Sequence, residues 1–251
     1  MKSTYLDLKK WGKLGLALVI LGAASWGYQW AAYARPPLPQ AIEALQSDSL
    51  VTVSADPWLS FSPAQAAPET GFIFYPGGRV DPRGYAPLMR ALAAEGYLVI
   101  IPEMPLNMAP FDANAADEIR AYYPEIKRWV MGGHSVGGTM AAQYTFNHPG
   151  KISGLVFWAS YPADSADLSG RQLPVTVIYG SLDPSVNADI LAERIPLFPP
   201  QTIYVQIEGG DHHQFGAYEI NPDEHFAAIG LTGQHQQIIE ATLALLAEAA
   251  D

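Results

Sequence analysis

The chain has 251 residues with a net charge of −11, and 49% of them are hydrophobic against 16% charged. That length and apolar content suit one α/β domain with an appendage, and the acidic balance with no basic patch in the body of the chain argues against a nucleic-acid partner. There is no cysteine, which excludes disulfides and cysteine nucleophiles.

The first segment, residues 1–34, reads as a separate object. Lys2, Lys9, Lys10 and Lys13 precede an apolar stretch from Leu14 to Ala34, and Trp26, Tyr28, Trp30 and Tyr33 gather at its far end. Basic residues ahead of an apolar run with an aromatic boundary predict a signal-anchor, a transmembrane helix that leaves the rest of the chain on the extracytoplasmic side of a membrane. A cleaved signal peptide, with Ala32-Tyr33-Ala34 as the processing site, is the competing expectation and would give a secreted or periplasmic domain. Residues 35–48, opening with Arg35-Pro36-Pro37-Leu38-Pro39, read as a stiff linker, and the functional domain is expected over 49–251.

Within that domain, strand and helix patterns alternate. Leu50 to Val53 and Trp58 to Phe61 predict an antiparallel edge. Phe72 to Tyr75 predicts a strand, Arg83 to Glu95 a helix, Leu98 to Ile101 a strand and Asp112 to Tyr123 a helix. Trp129-Val130-Met131 is an apolar run followed by Gly133-His134-Ser135-Val136-Gly137-Gly138 and a helical stretch from Thr139 to Tyr144. Gly154 to Trp158, Pro174 to Gly180 and Thr202 to Glu208 predict three more strands, and Gln234 to Glu248 the last helix. Strands alternating with helices imply a mostly parallel sheet covered on both faces.

The chemistry lies at the ends of these strands. Ser135 stands at the apex of a strand–turn–helix, the setting of a nucleophile elbow. Gly133 and Gly137 give the tight turn its room, because larger side chains would strike the flanking strand and helix. A serine hydroxyl needs a base to take its proton. Histidine can do so near neutral pH, and a carboxylate fixes the tautomer of that histidine. Asp183 follows the strand ending at Gly180, and His212 and His213 follow the strand ending at Glu208, so the chain order is Ser, Asp, His. His212 is the preferred base, with His213 the alternative. Asp164, Asp167 and Asp189 are rivals to Asp183, two in a polar connection and one in a short helical stretch. Asp211 beside the two histidines raises a metal site, but no His-Glu-x-x-His motif is present and no cofactor or metal is expected. The backbone N–H of Val136 and that of Gly78, with Gly77 as the alternative, should face the oxygen that gains negative charge. Glu103, past another strand, either lines the pocket or caps a turn. His134 reads as structural, His148 as a helix C-cap or surface residue, and His225 and His235 have no readable partner spacing.

Tyr75-Pro76-Gly77-Gly78, Gly133-His134-Ser135-Val136-Gly137-Gly138, Gly180-Ser181-Leu182-Asp183 and Gly209-Gly210-Asp211-His212-His213-Gln214-Phe215-Gly216 together make the chain resemble a bacterial α/β-hydrolase, of the small, nearly lidless branch near the dienelactone-hydrolase-like esterases. The resemblance runs from about Leu50 to the C-terminus. It implies a Ser135–His212–Asp183 triad, an oxyanion hole at Gly78 and Val136, and hydrolysis of esters. Two departures stand out. Pro76-Gly77 replaces the usual His-Gly of the oxyanion loop, and a serine stands where dienelactone hydrolases proper carry cysteine. The connection after Trp158 is short, which predicts a minimal cap and a shallow pocket walled by Trp158, Tyr161, Met104, Met108 and Phe215. The expected substrate is a small carboxylic ester. Thioester, amide or perhydrolysis chemistry on the same triad, and a non-catalytic binding domain on a hydrolase scaffold, are the alternatives.

Overall fold

Short runs of β-branched and aromatic residues, each broken by Gly, Pro or Asp, set the strands of this domain. The computed structural model describes residues 2–250, which fall into two units divided between Tyr33 and Ala34. The first unit is a single helix, α1 (Lys2–Ala32). Among the described residues no helix is long and apolar enough to cross a membrane, so the expected membrane span gains no support. Its continuous run of large aliphatic side chains ends at Leu21. Beyond that point Gly22, Ser25, Gly27 and Gln29 are interspersed with alanines and aromatics.

Residues 35–48, expected as a linker, belong instead to the second unit. Arg35 N–H donates to the Arg79 carbonyl and Leu38 N–H to the Ala217 carbonyl, at 2.7 and 2.9 Å. Pro39 opens a one-turn helix, α2 (Pro39–Glu43), whose Ala41 is fully buried. The prolines that made the segment look stiff fix φ for this docking.

The second unit continues through β1 (Val51–Ser54), β2 (Leu59–Pro63), β3 (Thr70–Tyr75), α3 (Ala86–Ala94), β4 (Leu98–Ile101), α4 (Ala115–Tyr122), β5 (Arg128–His134), α5 (Val136–Asn147), β6 (Gly154–Trp158), β7 (Val175–Gly180), α6 (Ala188–Arg194), β8 (Ile203–Ile207) and α7 (Leu231–Ala250). The eight strands form one sheet in the order β1-β2-β4-β3-β5-β6-β7-β8. The β1–β2 and β2–β4 pairings are antiparallel and the remaining five are parallel. This is the expected mostly parallel sheet with an antiparallel edge.

A parallel sheet is covered on both faces, so its central strands read as continuous apolar runs rather than alternations. The pleat still sorts them. Phe72, Phe74, Val130, Val156 and Ile178 join Leu88 and Leu92 of α3 and Ile238 and Leu245 of α7. Ile73, Tyr75, Met131, Leu155 and Val177 join Ile119 of α4, Tyr144 of α5 and Leu191 of α6. Each fully buried large apolar side chain contributes roughly 1.5–3 kcal/mol. The two cores hold the sheet rigid, and its carboxyl edge then becomes a fixed platform for loops, the place where open parallel sheets bind ligands. Among the described residues no helix occupies the connection between β6 and β7, as the short sequence there predicts.

Candidate active site

Strand β5 ends in Gly133 and His134, and helix α5 begins at Val136, which leaves Ser135 alone to reverse the chain. It does so at φ 54° and ψ −127°, a conformation that costs a non-glycine residue on the order of 1–3 kcal/mol. The surroundings hold it there. Ser135 N–H donates to the Trp158 carbonyl at 2.9 Å, and the Ser135 carbonyl accepts the Ser160 hydroxyl at 2.6 Å. The turn also needs bare backbone beside it: a Cβ on Gly137 would lie 2.2 Å from the Tyr75 carbonyl oxygen. The hydroxyl of Ser135 therefore stands at the N-terminal end of a 12-residue helix, where free N–H groups and the helix dipole favour negative charge.

Strand β7 delivers Asp183. Its carboxylate is fully buried and satisfied on both oxygens. Oδ1 accepts the N–H groups of Ser185 and Val186 at 2.7 and 2.9 Å, and Oδ2 accepts Nδ1–H of His212 at 2.7 Å. The loops that carry the two partners are fused by their own backbone bonds. Leu182 N–H donates to the Gly210 carbonyl and Ser181 N–H to the Ile207 carbonyl. Gly180 permits this approach, since a Cβ there would lie 2.3 Å from the Gly210 oxygen. With Nδ1 donating to the carboxylate, neutral His212 presents a lone pair on Nε2.

Ser135 and His212 line one cavity of about 260 Å³, together with Val136, Thr139, Ala159, Ser160, Tyr161, Ser185 and Val186. Gly78 borders Val136: a Cβ at Gly78 would meet Val136 Cγ1 at 3.2 Å and Met108 Sδ at 3.0 Å. The alternative oxyanion donor, Gly77 N–H, is already engaged by the Tyr85 hydroxyl at 2.9 Å. Gly78 N–H is left for the proposed role.

Among the expected pocket residues, Tyr161 lines this cavity. Met104 and Glu103 border a neighbouring cleft of about 550 Å³ that also reaches Pro76 and Asp81. Trp158 and Phe215 must be corrected, because both are fully buried core residues rather than pocket walls. Trp158 sits at the end of β6 on the face toward α7, where its indole N–H donates to Thr242 Oγ1 at 3.1 Å. Phe215 ends the short turn after His212 and stacks on the His134 ring at 5.5 Å. An aromatic beside a candidate site supports it from beneath as readily as it lines it.

The other candidates have separate duties. Asp211, weighed as a metal ligand, is fully buried and accepts four backbone N–H groups, from His213, Gln214, Phe226 and Ala227, at 2.8–3.1 Å. It fastens the loop after β8 to the segment ahead of α7. Asp164 pairs with Arg194 at 2.6 Å, Asp167 closes a turn onto Ser169 N–H, and Asp189 lies in α6. His148 caps α5, with Nδ1 2.9 Å from the Tyr144 carbonyl. His213 is held below the usual histidine range by burial and by His212 beside it.

Sequence reasoning missed Thr139, Ser160, Ser185 and Tyr85. Ser160 lies two residues beyond β6 and Ser185 two beyond Asp183, so the rule that strand carboxyl ends face the ligand could have found both. Tyr85 comes from a 3₁₀ turn ahead of α3 and carries no local signal.

The sequence profile of the alpha/beta hydrolase family matches residues 71–236. No curated protein is significantly similar to the chain in sequence. Among solved structures the chain is similar to a CIB-like hydrolase from Thermoplasma acidophilum, at 16% identity and a TM-score of 0.57 over 79% of this chain and 98% of that one. It is also similar to Thermogutta terrifontis esterase 2 phosphonylated by sarin, at 15% identity and a TM-score of 0.58 over 79% and 94%. A dienelactone hydrolase described from Klebsiella pneumoniae gives 16% identity and a TM-score of 0.57 over 79% and 97%. At such identities these likenesses establish the fold, and with the family match they make the conclusion plain: the chain belongs to the α/β-hydrolase family.

Proposed function

We propose that this hydrolase cleaves small carboxylic esters through an acyl-enzyme on Ser135. The observation that carries the reading is the buried Asp183–His212 bond of 2.7 Å beside the cavity that Ser135 and His212 share. Asp183 holds His212 as the Nδ1–H tautomer, so Nε2 accepts the Ser135 proton as Oγ attacks the ester carbonyl carbon. The charge that builds on the carbonyl oxygen is met by the N–H groups of Gly78 and Val136. The tetrahedral intermediate collapses, the C–O bond breaks, and the alcohol leaves with the proton from His212. Water then repeats the sequence on the acyl-enzyme, with His212 again taking and returning a proton, and the carboxylic acid departs.

Substrate size follows from the cavity. About 260 Å³ lined by Val136, Ala159 and Val186 among hydroxyls of Thr139, Ser160 and Ser185 suits a short acyl group. One neighbour in fold, the Thermogutta terrifontis esterase, is described with butyrate and with propionate bound, which agrees with that reading. The test is a series of p-nitrophenyl esters from acetate to palmitate, with Ser135→Ala as control. The expected optimum is at four carbons or fewer, with activity lost in the control. Equal or better turnover of long-chain esters would contradict the size assignment, and hydrolysis surviving in the Ser135→Ala protein would contradict the mechanism.

A further inference from the structure

His134 precedes the nucleophile, yet its ring is buried away from the cavity. Nε2 lies 2.9 Å from the His212 carbonyl oxygen. A carbonyl only accepts, so Nε2 carries the proton and Nδ1 is left with a lone pair. Nδ1 lies 2.9 Å from the Tyr85 hydroxyl, which must therefore donate to it. The same hydroxyl oxygen accepts Gly77 N–H at 2.9 Å. Every proton in the chain is thereby assigned: Gly77 N–H to Tyr85 oxygen, Tyr85 O–H to His134 Nδ1, and His134 Nε2–H to the backbone of His212. Both rings are closed off from water, which keeps Tyr85 un-ionised and pushes His134 well below the usual histidine range. The groups that face His134 are Tyr85, Phe215, His212 and, further off, His213.

We propose that Tyr85 and His134 are positioning residues, a buried clamp that holds the oxyanion loop and the base loop in register. One end of the clamp is the N–H of Gly77, the residue before Gly78, and the other is the carbonyl of His212 itself. The proposal rests on the reading of Ser135, Asp183 and His212 as a triad. It has a structural corollary independent of activity: the two neighbouring histidines carry opposite tautomers, Nε2–H on His134 and Nδ1–H on His212. A buried chain of this kind is cooperative, and breaking one member loosens the rest.

The test uses Tyr85→Phe, His134→Leu and His134→Gln in the full-length protein, with kcat and KM on a short-chain ester, thermal midpoints, and imidazole nitrogen NMR of the unmutated protein. Phenylalanine keeps the packing and removes the hydroxyl. Tyr85→Phe should lower kcat by about ten-fold or more with KM within about two-fold, since misplacement of catalytic groups by an ångström costs up to ~100-fold. His134→Leu should be at least as impaired. His134→Gln, whose amide can still donate to the His212 carbonyl, should recover a large part of the loss at a similar thermal midpoint. The NMR should show neutral His134 protonated at Nε2. Wild-type kcat in Tyr85→Phe, losses that track thermal stability alone without rescue by glutamine, or an Nδ1–H tautomer on His134 would each overturn the clamp while leaving the hydrolase reading intact. An unmutated protein that neither cleaves esters nor reacts with a fluorophosphonate at Ser135 would overturn the hydrolase reading and the positioning role with it.

Discussion

Replacing Asp183 by asparagine tests the proton logic of the site with almost no change in shape. In the native site Oδ1 is fixed as an acceptor by the N–H groups of Ser185 and Val186. In the Asp183→Asn protein the amide oxygen must take that position, because an NH₂ group there would confront two donors. The NH₂ group is then turned toward His212 Nδ1, at the place where Oδ2 stands 2.7 Å away. A donor in that place makes Nδ1 an acceptor and moves the imidazole proton to Nε2. His212 then points N–H rather than a lone pair at Ser135 and cannot accept its proton. The expected loss in kcat is about 10⁴, roughly 5 kcal/mol of transition-state stabilisation. Asp183→Ala leaves His212 free to choose its tautomer, so it should be no worse than Asp183→Asn in activity despite the vacated space. Steady-state kinetics on a short-chain ester, with folding checked by circular dichroism, reads this ordering. A folded Asp183→Asn protein within about ten-fold of the wild type would refute the tautomer argument.

Two further outcomes concern the fold beneath the site. Gly137→Ala should destabilise the protein by about 3 kcal/mol or more, because the new Cβ would lie 2.2 and 2.4 Å from the carbonyl oxygens of Tyr75 and Pro76. Urea unfolding measures the loss, and a change under about 1 kcal/mol would contradict the packing of the elbow. His235 is buried in α7 and its pKa is lowered from 6.5 to about 4 by desolvation. The unfolded chain takes up a proton as pH falls through 6.5 and the folded protein does not until about 4, so stability is lost across that window. Between about pH 7 and 4.5 the wild type should lose about 2–3 kcal/mol more than His235→Leu, as read from urea unfolding at both pH values. Parallel pH dependences would show that the histidine titrates alike in both states.

Much of this architecture was legible in the chain because parallel strands bury both faces and so appear as plain apolar runs. Leu98–Ile101 and Gly154–Trp158 are found where the pattern places them. The helices were less sharply bounded. The expected helix from Arg83 divides into a 3₁₀ turn (Pro82–Tyr85) and α3 (Ala86–Ala94), because Pro87 has no N–H to extend a helical ladder back to Arg83 and sits in the first turn of α3, where none is needed. Chain order and strand ends were enough to propose Ser135, Asp183 and His212 together, and the structure has Asp183 bonded to His212 and Ser135 and His212 on one cavity. The walls of the cavity did not, because strand ends say which residues reach the rim but not which face each side chain takes. Trp158 and Phe215 went to the core for that reason, while the small hydroxyl residues Thr139, Ser160 and Ser185 reached the cavity. The Tyr85–His134 chain depends on contacts across 49 positions of sequence and has no local signature. Residues 35–48 misled in the opposite sense, since a proline-rich segment can dock through its carbonyls and its few N–H groups as readily as it can stand free.

The proposed acyl-enzyme stands or falls on the reactivity of one hydroxyl in the folded protein. Treatment of the intact chain with a fluorophosphonate, followed by mass spectrometry of its peptides, should yield a single adduct on Ser135. Labelling should fall sharply in His212→Ala and vanish when the protein is unfolded beforehand. A folded protein that leaves Ser135 unmodified, or that takes the label on a different serine, would contradict the account.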